Sequence, residues 1–347
     1  MTTWIITGGA GFIGANLCHY LCRVRPDVRL VVVDRLTYCA NVGAIRPLID
    51  AGRVELVIAD VADREAMDDV FVRVLPDGVF HLAAESHVDR SISGPDAFMH
   101  ANIQGTFVLL ECARRRWLEQ GRAGRFLHVS TDEVFGDLGP DDPPFDEETP
   151  YRPSSPYSAS KAASDHLVHA WHHTWGLDAV ITNCSNNFGP WQFPEKLIPV
   201  IIRNVRDERP LPVYGDGSNV RDWLFVEDHC AALLAAFERG VAGRSYTIGT
   251  RNEWRNLDLV HLLCDLVDDH LGRPRTSRSL IRFVTDRPGH DRRYAINPAR
   301  ARQELGWSSA HTFEEAMRLT VSWYLDNLDT AWQAAPEGAA GRTTGAP

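Results

Sequence analysis

The feature that most constrains the fold is a glycine-rich loop near the start of the chain. A β-branched run, Trp4 to Thr7, leads into Gly8-Gly9-Ala10-Gly11-Phe12-Ile13-Gly14, and helix-like apolar spacing then continues to residue 24. Because Gly8, Gly11 and Gly14 lack a Cβ atom, the backbone can turn tightly and approach a ligand. A helix that begins here directs its free N–H groups toward an anion. The loop therefore predicts a phosphate-binding turn after the first strand of an α/β sheet.

An acidic residue makes this interpretation more specific. Asp34 follows the second predicted strand, at 29–33, and stands twenty residues after Gly14, where a carboxylate can bind the ribose hydroxyls of a dinucleotide. A carboxylate repels a 2′-phosphate, which favours NAD over NADP, although the neighbouring Arg35 favours the opposite. Asp60-Val61 and Leu82-Ala83-Ala84 close two later predicted strands and would reach the same ligand. The alternative is a glycine-rich structural turn that binds nothing.

Strands and helices alternate through the first half of the chain. Strands are predicted at 4–7, 29–33, 54–58, 78–82, 125–129 and 179–183, and helices at 12–24, 64–74, 95–118 and 154–175. This alternation is typical of a Rossmann-type doubly wound parallel sheet. Turn clusters then follow at 186–190, 210–212, 215–217 and 288–289, with late helices at 257–271 and 313–328. We therefore expect a dinucleotide-binding domain at 1–184, to which part of 221–250 returns, a smaller mixed α/β C-terminal substrate-binding lobe at 185–329, and a disordered tail at 330–347.

Composition excludes several classes of protein. The 347 residues are 44% hydrophobic, enough for a large core, and the net charge of -10 argues against a nucleic-acid partner. The chain has no apolar run of about 18 residues and no signal-peptide pattern, so we expect no membrane contact and a cytoplasmic location. The seven cysteines lack C-x-x-C spacing, so we expect reduced thiols and no metal site. His169, His172 and His173 could share a metal, but an exposed or interface helix face is the favoured interpretation.

Lysine is almost absent from the chain. Of the 36 basic residues only Lys161 and Lys196 are lysine, and the other 34 are arginine. A bias toward arginine leaves lysine mainly where a compact ammonium group is needed. Both lysines are therefore candidate functional residues.

Tyr157 and Lys161 are the first candidate catalytic pair. Their i, i+4 spacing in a predicted helix places both side chains on one face. A nearby ammonium lowers the pKa of a phenol, which makes Tyr157 a plausible proton acceptor for an alcohol under oxidation. The same spacing also occurs by chance in many helices.

The fifth predicted strand leads into a second candidate group, Ser130-Thr131-Asp132-Glu133. Two adjacent carboxyl groups in a confined site raise each other's pKa, so one can act as an acid and the other as a base. A β-elimination needs this arrangement. The alternative is a helix-capping Thr-Asp pair in a loop.

Together these residues resemble the extended short-chain dehydrogenase/reductase superfamily, and within it the dTDP-glucose 4,6-dehydratases. The resemblance runs from about residue 3 to residue 328. It rests on the glycine loop and on the segments HLAAESHVDRS (81–91), STDEV (130–134), SPYSASK (155–161), TNCSNN (182–187), FPEKLIP (193–199), RDW (221–223) and DRPGHD (286–291). The Thr-Asp-Glu triplet is its most specific part, because epimerases and decarboxylases of the superfamily lack the pair of acids.

The resemblance implies an NAD-dependent hydro-lyase that converts dTDP-D-glucose to dTDP-4-keto-6-deoxy-D-glucose and water, for deoxysugar biosynthesis. Tyr157 takes the proton of the 4-hydroxyl as hydride passes from C4 to NAD, with Thr131 bonded to the 4-oxygen. Glu133 then removes the C5 proton, Asp132 protonates the departing 6-hydroxyl, and hydride returns to C6. NAD is regenerated in each turnover and is expected to stay tightly bound.

The resemblance also implies two sets of binding residues and a partner. For the cofactor they are Gly8, Gly11, Phe12, Ile13, Gly14, Asp34, Arg35, Leu36, Thr37, Asp60, Val61, Leu82, Ala83, Ala84, Ser86, Tyr157, Lys161 and Asn187. For the nucleotide sugar they are Ser86, Thr131, Asn186, Lys196, Leu197, Pro212, Val213, Tyr214, Arg221, Asn256, Asp286, Arg287 and His290. The partner is a second copy of the chain, joined through a four-helix bundle of the helices at 95–118 and 154–175.

Some positions differ from the family pattern, and other functions stay open. Phe135 and Phe188 stand where tyrosine is common, and Thr250 replaces a glycine, which leaves the sugar and nucleotide preference undecided. The alternatives are a 4-epimerase, a UDP-glucuronate decarboxylase, a 4,6-dehydratase for another nucleotide sugar, or a dinucleotide-sensing protein without activity. Asp132 and Glu133 argue against the first two.

Overall fold

The computed structural model describes residues 2–286 and 289–330. The expectations for Arg287 and for the tail beyond Thr330 lie outside the described residues. The strands described are β1 (Thr3–Thr7), β2 (Arg29–Asp34), β3 (Val54–Ile58), β4 (Gly78–His81), β5 (Arg125–Thr131), β6 (Ala179–Cys184), β7 (Asn186–Phe188), β8 (Leu211–Tyr214), β9 (Val220–Phe225), β10 (Ser245–Ile248), β11 (Glu253–Arg255) and β12 (Ile281–Val284).

Helices surround these strands. They are α1 (Phe12–Val24), α2 (Val42–Asp50), α3 (Arg64–Val74), α4 (Val88–Ser93), α5 (Asp96–Phe98), α6 (Gly105–Ala113), α7 (Pro156–Trp175), α8 (Leu197–Arg206), α9 (Val226–Arg239), α10 (Asn256–His270), α11 (Ala299–Leu305) and α12 (Phe313–Asn327). Two π-helical segments, Met99–Gln104 and Arg114–Glu119, join and extend α5 and α6, and 3₁₀ turns form at Asp132–Phe135 and Ser277–Leu280. The predicted helix at 95–118 is therefore one helical stretch with two wider turns.

The main sheet has seven strands in the order β10-β6-β5-β4-β1-β2-β3, and every neighbouring pair is parallel. Its central strands are buried on both faces, because successive side chains point to opposite sides and helices cover each side. Along β1, for example, Ile6 packs into one apolar cluster with α1 and α9, and Ile5 into the other cluster with α3 and α6. The predicted Rossmann-type sheet is confirmed.

The seventh strand comes from late in the sequence. After the smaller strands β7 to β9, α9 leads to β10, which pairs in parallel with β6. This segment falls in the part of 221–250 that we expected to return to the first domain.

Two small sheets lie beyond the main one. One has the order β11-β9-β7, and the other is the parallel pair β12-β8. Two predicted turn clusters were wrong in part, because Asn186–Phe188 and Leu211–Tyr214 are strands. Pro212 is tolerated in β8 because a two-stranded ribbon leaves one edge of each strand unpaired.

Three observations concern membrane-spanning helices, metal-binding groups and cysteines. No helix in the described ranges is long and apolar enough to cross a membrane. Those ranges also hold no group of three or more His, Cys, Asp or Glu side chains placed to bind a metal ion. All seven cysteines lie within them and have free thiols.

Candidate active site

A cavity of about 540 Å³ runs along the carboxyl edge of the main sheet. The ends of β1 to β6 form one wall, and segments near α8, β8, β9 and α10 form the other. All but three of the residues expected to bind or react line it. The exceptions are Leu36, which packs against the main core, Asp286, whose carboxylate lies 2.7 Å from His290 Nδ1, and Arg287, outside the described residues.

The glycine loop can hold a dinucleotide phosphate. Gly8 has φ of +69°, and a Cβ atom there would lie 2.7 Å from the Ala83 nitrogen. A Cβ atom at Gly14 would lie 2.2 Å from the Gly8 carbonyl oxygen. Helix α1 starts after Gly11 with no side chain bonded to its first N–H groups. These groups are available to an anion, so the loop fits the pyrophosphate of a dinucleotide.

Asp34 and Arg35 shape the end of the cavity that would hold the adenosine. The Asp34 carboxylate accepts hydrogen bonds from the Ala10 nitrogen (3.0 Å) and the Leu36 nitrogen (2.8 Å), and each oxygen has lone pairs left for ribose hydroxyls. Arg35 donates to Asp60 over 3.2 Å and to Glu85 over 2.7 Å. Two carboxylates thus engage the arginine that could otherwise bind a 2′-phosphate.

Helix α7 positions Tyr157 and Lys161. Its start is fixed by a capping box, in which the hydroxyls of Ser155 and Ser158 each bond the other residue's N–H group, with Pro156 in the first turn. Lys161 is buried, and its Nζ donates to the Val129 carbonyl over 2.9 Å. Both expected residues therefore reach the same cavity, one helical turn apart.

Burial changes the acidity of this pair. It raises the pKa of Tyr157 well above its usual value, with Glu133 acting in the same direction and a hydrogen bond with Thr131 opposing it. Burial also lowers the pKa of Lys161 to about 8. In this environment the phenol is protonated at neutral pH, and a positive charge is needed to make it a base.

The triplet Thr131-Asp132-Glu133 occupies the point where β5 ends and a 3₁₀ turn begins. Thr131 caps this turn, its hydroxyl oxygen accepting a hydrogen bond from the Glu133 nitrogen over 3.2 Å. The 3₁₀ turn brings both acids to the cavity. Burial, followed by the charges of Glu133 and Asp222, raises the pKa of Asp132 well above its usual value. This environment therefore favours the protonated form of Asp132, beside a second carboxyl group.

Arg221 and His290 lie on the opposite wall. Arg221 is buried, donates to the carbonyl oxygens of Val220 (2.7 Å) and Asp291 (2.9 Å), and lies 4.4 Å from the centroid of the Tyr294 ring. These contacts fix a permanent cation in the cavity wall, which suits a diphosphate. Lys196 lines the same region at the start of α8.

Sequence reasoning missed several lining residues, among them Tyr38, His87, Gln192, Phe193 and Glu195. Three of them meet at the mouth of the cavity, where Arg90 lies 3.6 Å from the centroid of the Tyr38 ring and 3.4 Å from a Glu195 oxygen, and Phe193 stacks edge-on against Tyr38. Two of them could have been found because they adjoin predicted site residues: His87 follows Ser86, and Glu195 precedes Lys196.

Comparison with known proteins identifies the family. Residues 5–320 match the family model described as GDP-mannose 4,6 dehydratase. A dTDP-glucose 4,6-dehydratase of Neisseria meningitidis serogroup B is 51% identical over 343 residues, which is 96% of each chain. The chain belongs to the dTDP-glucose 4,6-dehydratase family.

Solved structures of relatives agree with this assignment. DesIV, a dTDP-glucose 4,6-dehydratase from Streptomyces venezuelae crystallised with NAD, matches at 41% identity with a TM-score of 0.87, over 94% of this chain and 98% of that one. A UDP-glucose 4-epimerase of Thermotoga maritima, crystallised with UDP-glucose, matches at 26% identity with a TM-score of 0.83, over 94% and 100% of the two chains. The family therefore shares its fold with this epimerase.

Proposed function

We propose that this protein is an NAD-dependent dTDP-glucose 4,6-dehydratase, which converts dTDP-D-glucose to dTDP-4-keto-6-deoxy-D-glucose and water. The observation that carries the proposal is the pair Asp132 and Glu133 in one cavity with Tyr157 and Lys161. A hydroxyl oxidation needs a base, and an elimination needs a second base and an acid. This cavity contains all three groups.

The first half of the cavity holds the cofactor. The glycine loop binds its pyrophosphate, Asp34 its adenosine ribose, and Lys161 the second ribose. When bound there, NAD would supply the acceptor of the hydride from C4 and its donor to C6, and a positive charge that favours the phenolate. The engagement of Arg35 by Asp60 and Glu85 favours NAD over NADP.

Oxidation at C4 uses Tyr157 and Thr131. Tyr157 takes the proton of the 4-hydroxyl, and the Thr131 hydroxyl, which opposes the rise in the pKa of Tyr157, stabilises the 4-oxygen. The Lys161 ammonium favours the phenolate against the opposing effect of burial. The resulting 4-ketone makes the C5 proton acidic.

Elimination uses the two acids. Glu133 removes the C5 proton, and protonated Asp132 gives its proton to the 6-hydroxyl, which leaves as water. C5 regains the proton held on Glu133 when C6 is reduced, and the proton taken by Tyr157 replaces the one lost by Asp132. The atoms balance as the loss of one water.

The test is mass spectrometry of the product formed from dTDP-glucose, with UDP-glucose and UDP-glucuronate in parallel. We expect a product lighter by one water and no net change in NADH absorbance. An isomer of unchanged mass would indicate an epimerase, and loss of carbon dioxide from UDP-glucuronate a decarboxylase.

Two variants test the residue roles. Glu133→Gln should still show transient NADH absorbance but release water at least about 100-fold more slowly, because only the C5 base is missing. Tyr157→Phe, the matched control, should show no such transient. Native dehydration by Glu133→Gln, or NADH accumulation in Tyr157→Phe, would contradict these roles.

The proposal extends to assembly and location. The face formed by α6, α7 and their extensions carries exposed Met99, Leu118 and Trp175. Beside them the rings of Phe107 and Trp171 meet edge-on, with their centroids 5.8 Å apart. This face supports a homodimer through a four-helix bundle, to be tested by light scattering of the native chain and of Leu118→Arg, which should be monomeric. The free thiols favour the reducing cytoplasm as its location.

A further inference from the structure

A buried polar cluster lies behind the floor of the cavity. It contains Lys161 and Asp165 from α7 and His128 from β5, each less than one-tenth exposed. His128 Nε2 is 3.4 Å from Lys161 Nζ and 3.2 Å from an Asp165 oxygen. The reaction described above does not use Asp165 or His128.

Asp165 also connects α7 to the ends of two strands. One of its oxygens accepts hydrogen bonds from the Ser130 hydroxyl (2.9 Å), the Tyr151 hydroxyl (2.9 Å) and the Asn183 amide (3.1 Å). The same Asn183 amide donates to the Thr131 carbonyl over 3.3 Å. A single carboxylate on the helix that carries Tyr157 and Lys161 is thus bonded to the strand that delivers the catalytic triplet.

The charges around Lys161 identify its counter-ion. Burial lowers the pKa of His128 to about 4 and that of His81 well below its usual value, so both imidazoles are neutral at pH 7. Burial raises the pKa of Cys184, from β6, to about 12, so its thiol is neutral as well. Tyr157, on the same helix, is a protonated phenol.

Asp165 differs from these neighbours. Burial raises its pKa, but hydrogen bonds with His128 and Ser130 and the charge of Lys161 outweigh burial and hold the pKa below its usual value. Its negative charge is the largest influence that keeps Lys161 protonated against burial. Asp165 is therefore the ionised carboxylate among the described neighbours that act on Lys161.

We propose that Asp165 is a positioning residue for the dehydration: its buried carboxylate keeps the Lys161 ammonium charged and holds α7 in register with the end of β5. The proposal rests on the proposed function only where it concerns turnover. Its electrostatic part concerns Lys161 alone and is measured without substrate.

The scarcity of lysine makes a direct measurement possible. The protein is produced with lysine labelled with ¹³C at Cε and purified with NAD bound. Because the chain has only two lysines, its NMR spectrum shows two side-chain resonances, and the variant Lys196→Arg assigns them. We expect Asp165→Asn, which keeps the shape and removes the charge, to lower the pKa of Lys161 by about one to three pH units. Tyr151→Phe is the matched control, because it removes one hydrogen bond to the same carboxylate and leaves the charge; it should leave the Lys161 titration unchanged.

Kinetics provides the second measurement. In Asp165→Asn we expect kcat at pH 7 to fall at least about tenfold and KM for dTDP-glucose to change less than about twofold. The acidic limb of the pH profile should move to higher pH, because Tyr157 loses the ammonium that favours its phenolate. Tyr151→Phe should keep the native profile. Failure of dTDP-glucose as substrate would overturn the proposed function and leave the lysine titration as the test of Asp165.

Three results would overturn the proposal. They are an unchanged Lys161 titration in Asp165→Asn, an equal shift in both variants, and a fall in kcat without any move of the pH profile. If Asp165→Asn does not fold, the titration of Lys161 in the native protein decides. A native pKa of Lys161 at or above about 7 supports a buried counter-ion, and a lower value, typical of unpaired buried lysine, contradicts it.

Discussion

Two neighbouring glycines of the phosphate-binding loop should respond very differently to the same added methyl group. At Gly14 the new Cβ atom would lie 2.2 Å from the Gly8 carbonyl oxygen and 2.7 Å from the Gly9 Cα atom. At Gly11 the nearest atom is the same carbonyl oxygen, at 3.2 Å, and the backbone there is extended, with φ of −79°. Ordinary contact begins at 3.4 Å, so Gly14→Ala must move the loop by about 1 Å and Gly11→Ala by a few tenths of an ångström.

The loop has little room for the larger movement. Gly8 has a positive φ, and its Cα faces the backbone of Ala83, where a Cβ atom would already clash. Overpacking of this kind costs about 1–3 kcal/mol of folding free energy. A displacement of about 1 Å at groups that cradle a phosphate costs about 100-fold in affinity, equivalent to about 2.7 kcal/mol.

The assay is the affinity for NAD, measured by calorimetry on protein freed of nucleotide, with the melting temperature as a check of folding. We expect Gly14→Ala to bind NAD at least about 100-fold more weakly than the native protein, and Gly11→Ala to stay within about fivefold. Native affinity in Gly14→Ala, or equal losses in both variants, would refute the assignment of this loop to the pyrophosphate.

Two further predictions concern the buried charges. Asp132→Asn should melt at a higher temperature than the native protein at pH 7.5, and the difference should shrink toward pH 4. Burial, and then the charge of Glu133, raises the pKa of Asp132 in the folded state. The folded state therefore binds a proton that the unfolded chain releases above about pH 4, which costs stability at pH 7.5. Melting curves across this range check it, and a lower melting temperature at pH 7.5 would contradict the sign. Glu85→Gln should reduce the preference for NAD over NADP by about tenfold, because Arg35 loses the closer of its two carboxylate partners. Fluorescence titration with each nucleotide measures this, and an unchanged ratio would show that Arg35 does not face the 2′-position.

Local patterns were sufficient to predict the strands and most helices of the first half of the fold, although α2 and α4 were not predicted. The strand-loop-helix at residues 3–24, the helix α3 and the strand β3 appear where periodicity indicated them, because each depends on neighbouring residues and on short turns. Periodicity did not indicate β7, β8 or β10. Their three or four residues carry too little pattern, and their pairing partners lie far away in the chain.

The sequence by itself determined which chemical groups this protein contains: a glycine-rich loop after the first strand, one phenol and one ammonium a helical turn apart, and two adjacent acids. Spacing along one helix or one loop fixes such groups relative to each other before the chain folds. Only the tertiary structure decided their state. Burial made Asp132 an acid, two carboxylates engaged Arg35, and Asp165, four residues beyond Lys161, became its buried counter-ion, because desolvation and contacts between distant segments exist only once the chain is packed.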